Sequence, residues 1–174
     1  MTETFRIEEI KFMPEISKII KDNFKLFPQD ITNIELSNSD EDTKESFDLV
    51  YKSKIEVSVR IRNNSYLKYA DFTIRSKSKY GNKTEIDKLI GGKGSIYLYA
   101  WKTIDNGNFH TWILINIEKM RSVFTDYNVP DIYNSDGTAF KRYPISTIIA
   151  YEALINYFNL PKFCLPNIQE LRLF

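Results

Sequence analysis

The sequence predicts an α+β fold: one domain spanning residues 1–174, with a mixed, mostly antiparallel sheet flanked by helices. Three observations predict it. Ile16, Ile19, Ile20, Asn23, Phe24 and Phe27 recur at helical spacing, with Lys18, Lys21, Asp22 and Lys25 between them. Ile55, Val57, Val59 and Ile61 alternate strictly with Glu56, Ser58, Arg60 and Arg62, the period of a half-buried strand. Two apolar, aromatic-rich runs, residues 96–101 and 112–117, flank the turn signal Asn106-Gly107, which predicts a hairpin. The chain has 174 residues, 43 % of them hydrophobic and 14 % aromatic, enough for a sizeable core and too apolar for disorder over most of its length.

The elements follow in order. Pro14 suits the early part of the first helix, which should end near Pro28. ITNIEL reads as a short strand. Residues 37–46 are polar and acidic with no apolar anchor, so they read as a mobile loop. Residues 47–52 form a strand, residues 55–62 the next, and residues 71–75 a third, with NNSYLKY as a loop or wide hairpin between the last two. SKSKYGNK is a polar turn. Thr84 is a good N-cap, Thr84-x-x-Asp87 has capping-box spacing, and Gly91-Gly92 stops the short helix. After the hairpin, IEKMRSVF reads as a short helix. Residues 125–144, punctuated by Pro130, Asp136-Gly137 and Pro144, read as irregular. Ser146 should cap a last helix carrying Ile148, Ile149, Leu154, Ile155 and Phe158, ended by Pro161.

Bulk properties exclude several function classes. The net charge is +1, from 24 basic and 23 acidic side chains, so a nucleic-acid surface must arise by local segregation of charge. Cys164 is the sole cysteine, which excludes an intramolecular disulfide and a cysteine zinc site; beside Phe163 and Leu165 it reads as a buried, inert thiol. His110 is the sole histidine and has no nucleophile-elbow context. No run is long enough to span a bilayer and the N-terminus does not read as a signal peptide, so the expected location is the cytoplasm.

Candidate chemistry concentrates between residues 56 and 88. The strands there put Arg60, Arg62, Asp71, Thr73 and Arg75 on polar faces, and the helix adds Glu85, Asp87 and Lys88. Carboxylates that converge can hold a hard cation such as Mg²⁺, and a neighbouring lysine can assist a bound water. The alternative is ordinary surface chemistry: cross-strand pairs with Glu56 or Asp71, and a local Glu85–Lys88 pair at i, i+3. Asp87 reads as a capping residue. Lys77, Lys79 and Lys83 make the densest basic turn. Tyr66, Tyr69, Tyr80, Tyr97, Tyr99 and Trp101 interleave with lysines, the pattern of single-strand-binding surfaces, though core and edge packing also uses such residues. Gly91-Gly92-Lys93-Gly94-Ser95 lacks the GxxxxGK[ST] order of a phosphate loop and reads as a helix stop. Asp131, Asp136 and Gly137 lack EF-hand spacing.

The order helix, three-strand meander, helix, strand over residues 12–117 resembles the core of the PD-(D/E)XK nuclease superfamily. That resemblance implies Mg²⁺ held by an acid on one strand and by an acid-x-Lys tripeptide on the next. Asp48 can stand for the first acid, and Asp71 is a further candidate metal ligand. The tripeptide is not intact: Glu56-x-Ser58 lacks the lysine and Thr73-x-Arg75 lacks the acid. Migration onto the following helix would assign Glu85 to metal binding and, with Lys88, to catalysis. Arg60, Arg62, Arg75, Lys77 and Lys79 would then contact phosphates.

Over residues 48–140 the string Asp48-Leu49, Arg60-Ile61-Arg62, Phe72-Thr73-Ile74-Arg75-Ser76 and Thr84-Glu85-Ile86-Asp87-Lys88, followed by Gly94 and Tyr97-Leu98-Tyr99, is similar to a group of phage and prophage-type proteins. This implies a phage-borne accessory protein acting in the host cytoplasm. Three readings follow. One is a degenerate nuclease-like fold that binds nucleic acid or a host protein. The second is an active metal-dependent nuclease. The third is an inhibitor of a host defence protein with no active site, a role open to an oligomer. The partner is thus nucleic acid or a host protein, and a homo-oligomer is compatible with each.

Overall fold

A computed structural model describes residues 3–23, 34–36, 49–51, 56–103 and 108–165, with residues 3–10, 34–36 and 49–51 described by backbone alone. The fold is α+β, as the sequence predicts. Helix α1 (Glu3–Asn23) is followed by strands β1 (Ile34–Leu36), β2 (Leu49–Tyr51) and β3 (Glu56–Asn63), a 3-10 turn (Asn64–Tyr69), β4 (Asp71–Lys77) and α2 (Glu85–Ile90). Then come β5 (Ile96–Lys102), β6 (Phe109–Asn116), α3 (Ile117–Asp126), β7 (Ile132–Tyr133), β8 (Ala139–Pro144), α4 (Ile145–Ala150) and β9 (Leu154–Phe158). A short 3-10 turn at Lys162–Cys164 is the last element described.

The strands form two sheets. One has six strands in the order β1-β2-β3-β5-β6-β9, and the other three in the order β4-β8-β7. Every pairing is antiparallel except β3 with β5. Helix α1 covers one face of the large sheet, where Phe12, Ile16, Ile19 and Ile20 pack with Val57, Val59, Ile96, Leu98, Ala100 and Leu114. The small sheet and helices α2, α3 and α4 cover the other face, packing Phe72, Ile74, Leu89, Phe124, Tyr143 and Ile148 around Tyr97, Tyr99, Trp101 and Ile113. Strand β5 is buried on both faces, so its side chains are apolar or aromatic without alternation.

Several expectations are corrected. The strands at residues 55–62 and 71–75 do not pair as parts of one meander. Both edges of β3 are already taken, by β2 and β5, so β4 has no edge of β3 to join. The 3-10 turn and left-handed Ala70 (φ 49°) redirect the chain into the second layer, where the Ala70 carbonyl accepts from Ile145 N at 2.9 Å. Residues 125–144 are not irregular throughout: they contain β7 and β8, and β8 gives β4 its partner. The last helix ends at Ala150 and is preceded by Pro144 rather than capped by Ser146. Leu154, Ile155 and Phe158 lie instead on β9, which occupies the open edge of β6. The helical spacing across residues 148–158 is overridden by left-handed Glu152 (φ 53°) and by strand pairing. Pro14 lies inside α1. The helix tolerates the missing N–H because Phe12 and Ile16 on either side are anchored in the core. Phe24, Phe27, Pro28, the loop 37–46 and Asn106-Gly107 lie outside the described residues.

Candidate functional site

Since Val57 and Val59 face α1, the alternation of β3 sends Arg60 and Arg62 to the opposite side, toward β4. Strand β4 is an edge strand. β8 satisfies one side of its backbone, and the other side needs partners. Side chains supply them. Arg60 Nη1 donates to the Thr73 carbonyl at 2.9 Å, Thr73 N donates to the Tyr99 hydroxyl at 3.4 Å, and Arg75 N donates to Glu85 Oε2 at 3.4 Å.

Glu85 stands at the start of α2, where the expected capping box forms: Thr84 N and Oγ1 donate to Asp87 Oδ2 at 2.8 and 2.7 Å. Its Oε2 accepts from Arg60 Nη2 at 3.0 Å and its Oε1 accepts from the Tyr97 hydroxyl. Both oxygens are therefore engaged. Asp71, 5 % exposed, accepts from Arg142 Nε at 2.6 Å. Each of these acids gives one oxygen to a guanidinium group, and among the described residues no group of three or more Asp, Glu, Cys or His side chains is placed to hold a metal ion. Glu85 and Asp71 are thus both engaged by arginines. Asp48, the remaining expected ligand, lies outside the described residues. Lys88 is half-buried one turn beyond Glu85 on α2.

The expected phosphate contacts divide into two sets. Arg60 is paired with Glu85, and Lys77 with Asp131 at 3.3 Å. Lys77 also donates to the Tyr133 hydroxyl, and its ammonium is held above its usual range by that bond and by Asp131. The Asp131 carboxyl is lowered first by Ser76, whose Oγ donates to it at 2.7 Å, and then by Lys77. Arg62, by contrast, meets neutral groups: it donates to Thr73 Oγ1 at 2.6 Å and to the Tyr99 hydroxyl at 2.9 Å, and it lies 4.3 Å from the Tyr66 ring centre. Arg75 is exposed, with no acid partner among the described residues. Lys79 lies 5.7 Å from the Tyr80 ring centre and helps lower the Asp136 carboxyl, for which hydrogen bonds from Thr138 are the larger cause.

The glycine-rich segment is a helix stop, as expected. Lys93 N reaches the Lys88 carbonyl at 3.1 Å and Gly92 N the Leu89 carbonyl at 3.2 Å, with Gly92 at φ 98°. Arg121 from α3 donates to the carbonyls of Leu89, Lys93 and Gly94 and fixes the turn. Cys164 is buried, and burial pushes its thiol up to about 11. His110 lies in β6, where its carbonyl accepts from Asn159 Nδ2.

Sequence reasoning missed Arg142 and misassigned Tyr97 and Tyr99, which are too buried to stack with a base. Their rings are buried, but their hydroxyls complete the polar network. Arg142 is 71 residues from Asp71 in sequence, and only the β4–β8 register brings them together. Comparison of the chain with protein-family models, curated proteins and solved structures finds no match.

Proposed function

We propose that this protein is a non-catalytic nucleic-acid-binding protein, a phage-type accessory factor whose nuclease-like acids serve structure rather than metal. One observation carries the reading. The described acids of the site are tied to Arg60 and Arg142, whereas Arg62 on β3 and the exposed Arg75 on β4 keep their charge free of acid partners among the described residues, and Arg62 lies over the exposed Tyr66. Cations of this kind attract a phosphate backbone, and their modest number fits moderate, salt-sensitive affinity.

Fluorescence anisotropy with labelled DNA and RNA, run from 20 to 200 mM salt (conditions on the order of those where counterion release is readable), tests it. Binding that weakens with salt, with strands intact after Mg²⁺ or Mn²⁺ addition, is the expected result. Cleavage abolished by both Glu85→Ala and Lys88→Ala would replace this reading with the enzyme. Absence of binding to every polynucleotide would turn the search to a host protein.

A further inference from the structure

We infer that Tyr66 and Tyr69 form a two-base stacking platform that restricts the site to unpaired strands; this deepens the nucleic-acid reading and rests on it. The local sequence builds the platform. In a 3-10 turn, residues i and i+3 project from the same side, and Tyr66 and Tyr69 have that spacing within Asn64–Tyr69. Their ring centres are 6.4 Å apart with planes tilted by 40°, and the residues are 44 % and 49 % exposed. Between them Leu67 is buried and anchors the turn in the core. Asn63 Oδ1 caps the turn by accepting from Ser65 N at 2.9 Å, and the Ala70 N–H closes it on the Leu67 carbonyl at 3.0 Å.

Both rings are also braced by arginines. Arg62, fixed by Thr73 and Tyr99, lies over Tyr66, and Arg142, fixed by Asp71, lies 5.1 Å from the Tyr69 ring centre. The exposed Lys68, whose ammonium is 5.1 Å from the Tyr69 ring centre, is a flexible cation within reach of a phosphate joining two stacked bases. A tyrosine ring is a stiff aromatic surface with little rotamer freedom to lose, and every base has a π-face to set against it. Bases inside a duplex are already stacked, so such a platform recognises only unpaired ones.

The test compares a short oligothymidine, an abasic strand of the same length and charge, and a duplex, against the whole chain and the variants Tyr66→Ala, Tyr69→Ala, Tyr66→Phe, Tyr69→Phe and Arg75→Ala. Circular dichroism confirms that each variant is folded. Each Tyr→Ala change should weaken oligothymidine binding about tenfold without changing its salt slope, while the Phe variants bind like the parent. Arg75→Ala should instead lower the salt slope by about one. The abasic strand and the duplex should bind the parent as weakly as oligothymidine binds the Ala variants. Equal parent affinity for abasic and base-bearing strands, or for duplex and single strand, would overturn the platform while leaving nucleic-acid binding intact. No affinity for any of the three would overturn both.

Discussion

Glu85 shows how one side chain's role is set by what reaches it. With Arg60, the Tyr97 hydroxyl and the Arg75 N–H around it, the carboxylate joins β3, β5, β4 and α2 at a single point. Its partners explain why the edge of β4 is held although no strand of the large sheet pairs with it. The side chains of Arg60 and Glu85 are 28 % and 19 % exposed, shielded enough for the pair to matter. Glu85→Gln or Arg60→Ala should each lower unfolding free energy by about 1–3 kcal/mol, because a shielded, charge-assisted hydrogen bond is lost. Tyr97→Phe should cost about 1 kcal/mol. Urea unfolding of the two single variants and the double variant checks this. Strictly additive losses would show that the pair is not coupled. The sequence placed Arg60 and Glu85 among the candidate residues. It did not pair them, because 25 positions separate them and the contact depends on where α2 docks.

Helix α2 shows what an element's sequence can specify alone. Thr84 and Asp87 form its start, Gly91-Gly92 its end, and Ile86 and Leu89 its buried side, all legible within the single stretch from Thr84 to Gly92. Asp87→Ala should therefore cost about 1 kcal/mol, as loss of a cap does. Gly94→Ala should cost about 1–3 kcal/mol: φ is +75°, and a Cβ there would lie 3.1 Å from Leu89 Cδ2. Thermal denaturation of each variant measures both, and a neutral Gly94→Ala would contradict the strain argument. Strand β9 is the opposite case. Residues 154–158 carry apolar side chains compatible with either a helix or a strand, and the free edge of β6 decides between them. Local spacing cannot register an edge contributed by a strand some 40 positions earlier (about 42 between Trp112 and Leu154 in the sequence, far beyond the reach of local propensity).

At the scale of the molecule, the core carries a pH dependence. Burial pushes the Tyr143 hydroxyl up to about 12 from 10.0, and the Cys164 thiol up to about 11 from 9.0. In both cases the folded chain keeps a proton that the unfolded chain releases. The folded state then binds more protons, so unfolding free energy falls as pH rises. Stability should be unaffected by these groups below pH 9.0, decline first through Cys164 between 9.0 and about 11, and then through Tyr143 between 10.0 and about 12. By pH ~10.5 the loss from the thiol should be on the order of 1–2 kcal/mol. Urea unfolding from pH ~8 to ~10.5 on the parent and on Cys164→Ala tests this; an equal decline in both would remove the thiol from the account.

Local sequence was enough for the α+β class, the large-sheet strands from β1 to β6, the capped helix α2 and its stop, and the buried thiol. Each rests on short-range periodicity or on a turn residue whose backbone preference is intrinsic. That β4 belongs to a second sheet, that residues 154–158 form a strand, and that Glu85 and Asp71 are bound by Arg60 and Arg142 became visible in the folded chain alone. Those outcomes depend on which strand edges remain open after others have paired and on which charges then face one another. Open edges and facing charges are properties of the assembled chain, and no window of neighbouring residues contains them.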